Sequence, residues 1–140
     1  MNCNTYSGKT SGSDQEPITY SLIAEGNLYG DGAEGITAQK NVITANEEWQ
    51  TLISKMNTVN DESKNFSEIK IDFTKYIVIA VFDNIKSNGG HSITLDIDQS
   101  TDKIIVHTTY NSPQGMAITI MAQPYIIVKI PKTDLPVVFV

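Results

Sequence analysis

His91, Ser92 and Asp96 are the residues of this chain whose types could supply a base, a nucleophile and an orienting acid. Their spacing works against that chemistry. They fall in HSITLDI (residues 91–97), which alternates polar and apolar residues, and in a strand His91 and Ser92 point to opposite faces. No G-x-S-x-G turn presents a serine elsewhere. Asp96 and Asp98 share one strand face and, with Asp102, could pair with a cation. They are too few for a calcium cage built from protein oxygens, so a solvated strand face is the expected role. Gly89-Gly90 has no Lys-Ser/Thr partner and no helix after it, so it does not read as a phosphate loop. His91 and His107 lack the H-x-x-x-H or H-E-x-x-H spacing of a zinc site, and His107 reads as a packed or hydrogen-bonded strand residue. The single cysteine, Cys3, can build neither an internal disulfide nor a thiolate cluster. Metal ions and cofactors are therefore not expected, and the chain reads as a non-enzyme.

The chain has 140 residues, enough for one domain with a real core. Its net charge is −6, and its ten basic residues are all lysine. Arginine is the preferred reader of guanine edges and the preferred bidentate clamp on phosphate. Its absence, with the acidic balance, argues against nucleic acid and against a polybasic lipid-binding patch. No apolar run approaches the roughly 18 residues of a membrane span, and no signal peptide is visible as the chain stands.

Residues 1–16, MNCNTYSGKTSGSDQE, hold few large apolar groups. Such a segment cannot offset its ordering entropy by burial, so a flexible tether is expected there and a single domain over 17–140. A cysteine followed by a polar spacer resembles a mature bacterial lipoprotein, with Cys3 as the lipidation site. Any membrane contact would then run through that lipid anchor.

The elements that must position these residues are legible in the hydrophobic pattern. Residues 18–25 read as a first strand, and a turn-rich stretch with Gly26, Gly30, Gly32 and Gly35 follows. Residues 35–43 could hold a short edge strand. Thr44-Ala45-Asn46-Glu47 has the capping-box pattern, with Asn46 as a rival cap. Trp49, Leu52, Ile53 and Met56 then recur on one helical face, which predicts a helix over 45–56 with Trp49 as a core anchor. Residues 68–73 alternate and read as a strand. YIVIAVF (76–82) is an unbroken apolar run, the mark of a strand covered on both faces. It and the alternating 91–97 segment, joined by a loop ending in Gly89-Gly90, look like a long hairpin at the centre of a sheet. Residues 103–110 make another strand. Residues 116–121 and 125–130 read as two more, broken at Gln123-Pro124 because proline lacks a ladder donor. Residues 135–140 suggest a last short edge strand. The sum is an α+β fold: a mainly antiparallel β-sheet, sandwich-like or half-barrel, with one amphipathic helix packed on it.

The order of signals from Trp49 onward resembles the carboxy-terminal domain family of protease complex subunit PrcB. The matching features are the tryptophan helix EEWQTLI (47–53), Asp72-Phe73 before the apolar strand, NGGHSITLDI (88–97), SPQG (112–115) and QPYIIVKIPK (123–132). The resemblance spans roughly residues 40–132. His91 departs from the aromatic, typically tyrosine, that follows the glycine pair in such domains, and Gln114 is a second departure. The resemblance implies an extracytoplasmic, non-catalytic domain at the bacterial cell envelope, associated with a surface protease.

Loops at the ends of a rigid sheet are the usual place for binding. The candidate binding residues are Ser87, Asn88, Gly89, Gly90 and His91 in one loop, and Asn111, Ser112, Pro113 and Gly115 in a second. Gln123, Pro124 and Tyr125 form a third set. The function expected is that of an accessory or interaction module with a protein partner such as a surface protease. The alternative is a protease inhibitor that inserts one of these loops into an active-site cleft. Carbohydrate binding through Tyr6, Tyr20, Tyr29, Tyr76, Tyr110 or Tyr125 is a third class, but no pair has a spacing that demands a sugar platform.

Overall fold

The computed structural model describes residues 15–140. Two sheets and one helix stack in three layers. The central layer is a five-stranded sheet of β2 (Ser21–Leu28), β3 (Gln39–Ile43), β4 (Tyr76–Phe82), β5 (Lys86–Asn88) and β8 (Thr119–Pro131). Its order is β2-β8-β4-β3, with β5 paired to the first part of β8. The second sheet runs β1-β6-β7-β9, from β1 (Glu16–Pro17), β6 (Ser92–Gln99), β7 (Ile104–Asn111) and β9 (Val137–Phe139). All pairings are antiparallel except β7 with β9. The fold is α+β and sandwich-like, as the pattern predicts.

Alternation along β4 and β8 builds two cores from one sheet. Val78, Ala80, Phe82, Tyr125 and Ile127 face α1 (Asn46–Met56) and meet Trp49, Leu52, Ile53 and Met56. Ile77, Ile79, Val81, Ile126 and Val128 face the second sheet and meet Ile93, Leu95, Ile97, Ile104 and Val106. Trp49 is 0% exposed, stacks on Phe66 and donates its Nε1–H to the carbonyl of Ile69 at 2.7 Å. It is the core anchor that its helical spacing predicts.

Several expectations are corrected. First, β4 and β6 are not a hairpin. They lie in different sheets and meet face to face, with Ile93, Leu95 and Ile97 packed toward Ile77, Ile79 and Val81. Both edges of β4 are taken by β3 and β8, so the connection through β5 and the glycine pair carries the chain across to the other layer. Second, residues 68–73 form no strand. The Trp49 indole takes the Ile69 carbonyl, while Lys75 and Tyr76 donate to the Asp72 carbonyl and close a turn instead. Thr74, through its hydroxyl and then its backbone N–H, holds the Asp72 carboxyl below its ordinary value. Third, no capping box forms: Ala45 is the N-cap of α1, without a side-chain cap bond, and Thr44 lies one residue too early. Fourth, β8 runs unbroken through Gln123-Pro124 as a 13-residue strand. Glu16, expected in the tether, pairs with Gln99 in β1. Cys3 and Tyr6 lie outside the described residues.

Candidate functional site

The connections at one end of the sandwich come together because β5 and β8 pair there. Lys86 stands opposite Ala122, Asn88 opposite Thr119, and the Gly89 N–H donates to the Ile118 carbonyl at 3.0 Å. The loop after β7 then closes on the glycine pair. Gly90 has φ +87°, and a Cβ there would lie 2.7 Å from the Cβ of Pro113. Only glycine permits both that backbone and that approach. A Cβ on Gly89 would meet Ile118 at 3.2 Å. The first two predicted loops, 87–91 and 111–115, therefore form one surface.

Their polar side chains mostly serve the scaffold. The Asn111 amide donates to the hydroxyls of Ser92 and Thr94, 3.2 and 2.8 Å away across the β6–β7 pair. The His91 ring nitrogen Nε2 lies 2.9 Å from Asn88 Oδ1. Ser92 is thus held by Asn111 and His91 by Asn88. Further along β6, Asp98 Oδ2 sits 3.2 Å from His107 Nε2, and Asp102 accepts from the Ser100 hydroxyl at 2.8 Å. Among the described residues, no three His, Cys, Asp or Glu side chains converge as a metal site would require. Ser87, Ser112 and Gly115 are exposed, and Gly115 (φ +81°) turns the loop tip.

The third predicted set lies elsewhere. Gln123, Pro124 and Tyr125 are buried in β8 rather than displayed on a loop. The Tyr125 ring stacks on Phe82, and its hydroxyl donates to Glu62 Oε2 at 2.6 Å. Gln123 is 2% exposed and donates through Nε2 to the carbonyls of Ile36 and Asp83, at 2.8 and 3.1 Å. These bonds hold the chain after β2 and after β4 against β8, a structural task.

What the two loops frame is apolar. A pocket of about 300 Å³ opens between Asn27 and Tyr29 on one side and Gly89, Gly90 and Pro113 on the other, with Ile118 and Ile120 on its wall. Met116 is 100% exposed and Ile118 70%, and Tyr29, Tyr110 and Met121 are also exposed. Burial, and then the negative charge of Asp83, raise the Tyr110 hydroxyl above its ordinary pKa. Asp83 itself is paired with Lys86 at 3.5 Å. Wider clefts exist, such as that between β3 and α1, but Glu47, Glu48 and Lys55 line it as charged, water-facing residues. The pocket at the loop end is notable for uncovered apolar side chains, not for size.

From the sequence, Tyr29 is named only as one of six tyrosines, and Met116 and Ile118 are not marked. Residues 116–121 read there as an ordinary strand, whereas β8 begins at Thr119 and 116–118 belong to the connection before it. One signal was available. From Ile104 to Val128 the chain carries no Asp, Glu, Lys or Arg, in a protein of net charge −6. Depletion of charge is the compositional mark of an interface core. Comparison with known proteins finds no matching family model, no similar curated protein and no similar solved structure.

Proposed function

We propose that this chain is a non-catalytic interaction module that docks on a partner protein through the sandwich end bearing Tyr29, Met116 and Ile118. The observation that carries the reading is the exposure of Met116 and Ile118 within an uncharged stretch. Large uncovered apolar side chains grouped around a pocket mark interaction sites on folded proteins. The resemblance of residues 40–132 to the PrcB domain family supports a cell-envelope setting and a surface protease as partner, and the separate pattern of a cysteine before a polar spacer supports Cys3 as the lipid-bearing residue.

The test starts from a complex purified from cells that make the full chain. Its partner is identified, produced separately and titrated by calorimetry against wild type and a Met116→Ser/Ile118→Ser variant. Both side chains are exposed, so the variant should fold as wild type does. Affinity is expected to fall by about tenfold or more, about 1.4 kcal/mol. Equal affinity would remove this surface from the interaction.

The inhibitor reading draws on one specific feature, the fully exposed Met116 side chain in the β7–β8 connection. That is the presentation a protease cleft could accept. Titration against serine, cysteine and metalloproteases decides it. Inhibition abolished by Met116→Asp would assign that role, and no inhibition at high concentration would dismiss it.

A further inference from the structure

We infer that the partner contributes an extended polypeptide segment that adds to the five-stranded sheet along residues 119–122, in the line that β2 vacates. This rests on the preceding reading that the sandwich end binds a protein, and it names the form in which the protein arrives.

The β2–β8 ladder runs from Ser21 opposite Lys129 to Leu28 opposite Gln123, and there it stops. The chain leaves through a tight turn in which Asp31, Gly32 and Gly35 all have positive φ. It returns at Ile36, whose carbonyl is pinned by Gln123. β8, however, continues back to Thr119. Over 119–122 it keeps β5 on one edge and, among the described residues, has no strand on the other. Backbone N–H and C=O groups on an open edge need a partner, and an extended chain supplies both kinds at the right spacing.

Two further features fit such an occupant. Natural edges are commonly guarded by charge or proline; residues 119–122 read Thr-Ile-Met-Ala and have neither. The apolar pocket lies beside this edge, between Tyr29 and the Ile118–Ile120 wall. A strand laid where β2 would have continued places alternate side chains over it, the arrangement in which ladder bonds give affinity and pockets give selectivity. The occupant is therefore an extended segment with apolar residues at every second position. A second copy of this chain fits less well. An edge of this length is only about 13 Å long, and pairing along it alone leaves two copies short of the roughly 1,200 Å² of a stable interface.

The test uses the full chain, immobilised, and a displayed random library of peptides about twelve residues long. Selected peptides should carry apolar residues at alternate positions. Methylating backbone nitrogens one at a time should weaken binding by about tenfold at every second position and little in between. On binding, hydrogen exchange at Thr119 and Met121 should slow. Selected peptides with no alternation in the methylation profile, unchanged exchange at 119–121, or an empty selection would each overturn strand addition. Slow exchange at 119–121 without peptide, together with a doubled mass in solution, would assign the edge to a second copy and overturn it too. Failure is separable from failure of the docking surface. If the purified partner still depends on Met116 and Ile118 but leaves exchange at 119–121 unchanged, docking stands and strand addition falls.

Discussion

Gln123 supplies the donor that Pro124 lacks. Asp83 and Pro124 face each other where β4 ends: the Asp83 N–H donates to the Pro124 carbonyl at 3.0 Å, and proline can return nothing. The Gln123 side chain reaches the Asp83 carbonyl instead and holds the Ile36 carbonyl as well. Gln123→Leu removes both bonds, and each buried acceptor left bare costs about 1–3 kcal/mol. The unpartnered Gln123 Oε1 disappears with them, which offsets part of the loss. A net destabilisation of about 2 kcal/mol is expected in urea denaturation. In a Pro124→Ala background the new N–H can serve Asp83, so the same substitution should cost about 1 kcal/mol less. Equal costs in the two backgrounds would refute the substitution of side chain for backbone. Tyr125 carries a pH dependence. Burial first, then the hydrogen bond to Glu62 and the Glu62 charge, push its hydroxyl well above the ordinary tyrosine value of 10.0. The folded chain thus holds this proton more tightly than the unfolded chain. Its contribution is complete below that ordinary value and declines as pH rises above it, because only unfolded Tyr125 ionises there. Urea midpoints measured from about pH 8 to 12 should fall on the alkaline side. Tyr125→Phe should flatten that limb, and Tyr110, shifted the same way, should leave a residual slope.

The helix shows a local opportunity that its sequence does not use. Ala45 occupies the N-cap of α1 with φ −135° and ψ 146°, the extended conformation a capping residue adopts, but its methyl group accepts no bond. Glu47 and Glu48 in the first turn and Lys55 in the last already match the helix dipole. The helix is held by its buried face, with Trp49 and Met56 fully enclosed. Ala45→Ser should therefore stabilise the protein by about 0.5–1 kcal/mol, read as a higher midpoint in thermal or urea unfolding. No gain would mean that the first-turn N–H groups are already satisfied by water. β8 is the other element whose form matters. It pairs with β2, β4 and β5, so every other strand of the central sheet except β3, which pairs with β4, is joined to it directly.

At the scale of the molecule, one sheet serves two cores. Successive residues of β4 and β8 alternate between the helix-side cluster and the inter-sheet cluster. Neither layer can lose its packing without exposing the back of the other. A single cooperative transition is therefore expected despite the three-layer build. Fluorescence of Trp49, which reports the helix side, and far-ultraviolet dichroism of the strands should give superimposable urea curves. Separate midpoints would show that the helix layer melts on its own.

What the sequence by itself determined was local. The period of Trp49, Leu52, Ile53 and Met56 made a helix with one buried face, the unbroken run of β4 made a strand enclosed on both sides, and the alternation of β6 made a half-wet one. Each follows from side-chain geometry along a single element, which needs no knowledge of neighbours. The α+β, sandwich-like class followed from the order of those elements. Strand partners were another matter. The β4–β6 hairpin and the break at Pro124 were reasonable local readings, and both failed. Pairing depends on which edges remain open after the layers stack, and a side chain distant in sequence from Ile36 and Asp83 can replace a missing backbone donor. The apolar end of the sandwich was hidden for the same reason. Residues 116–121 look like any buried strand until the fold shows that 116–118 lie in the connection before β8, with Met116 and Ile118 exposed.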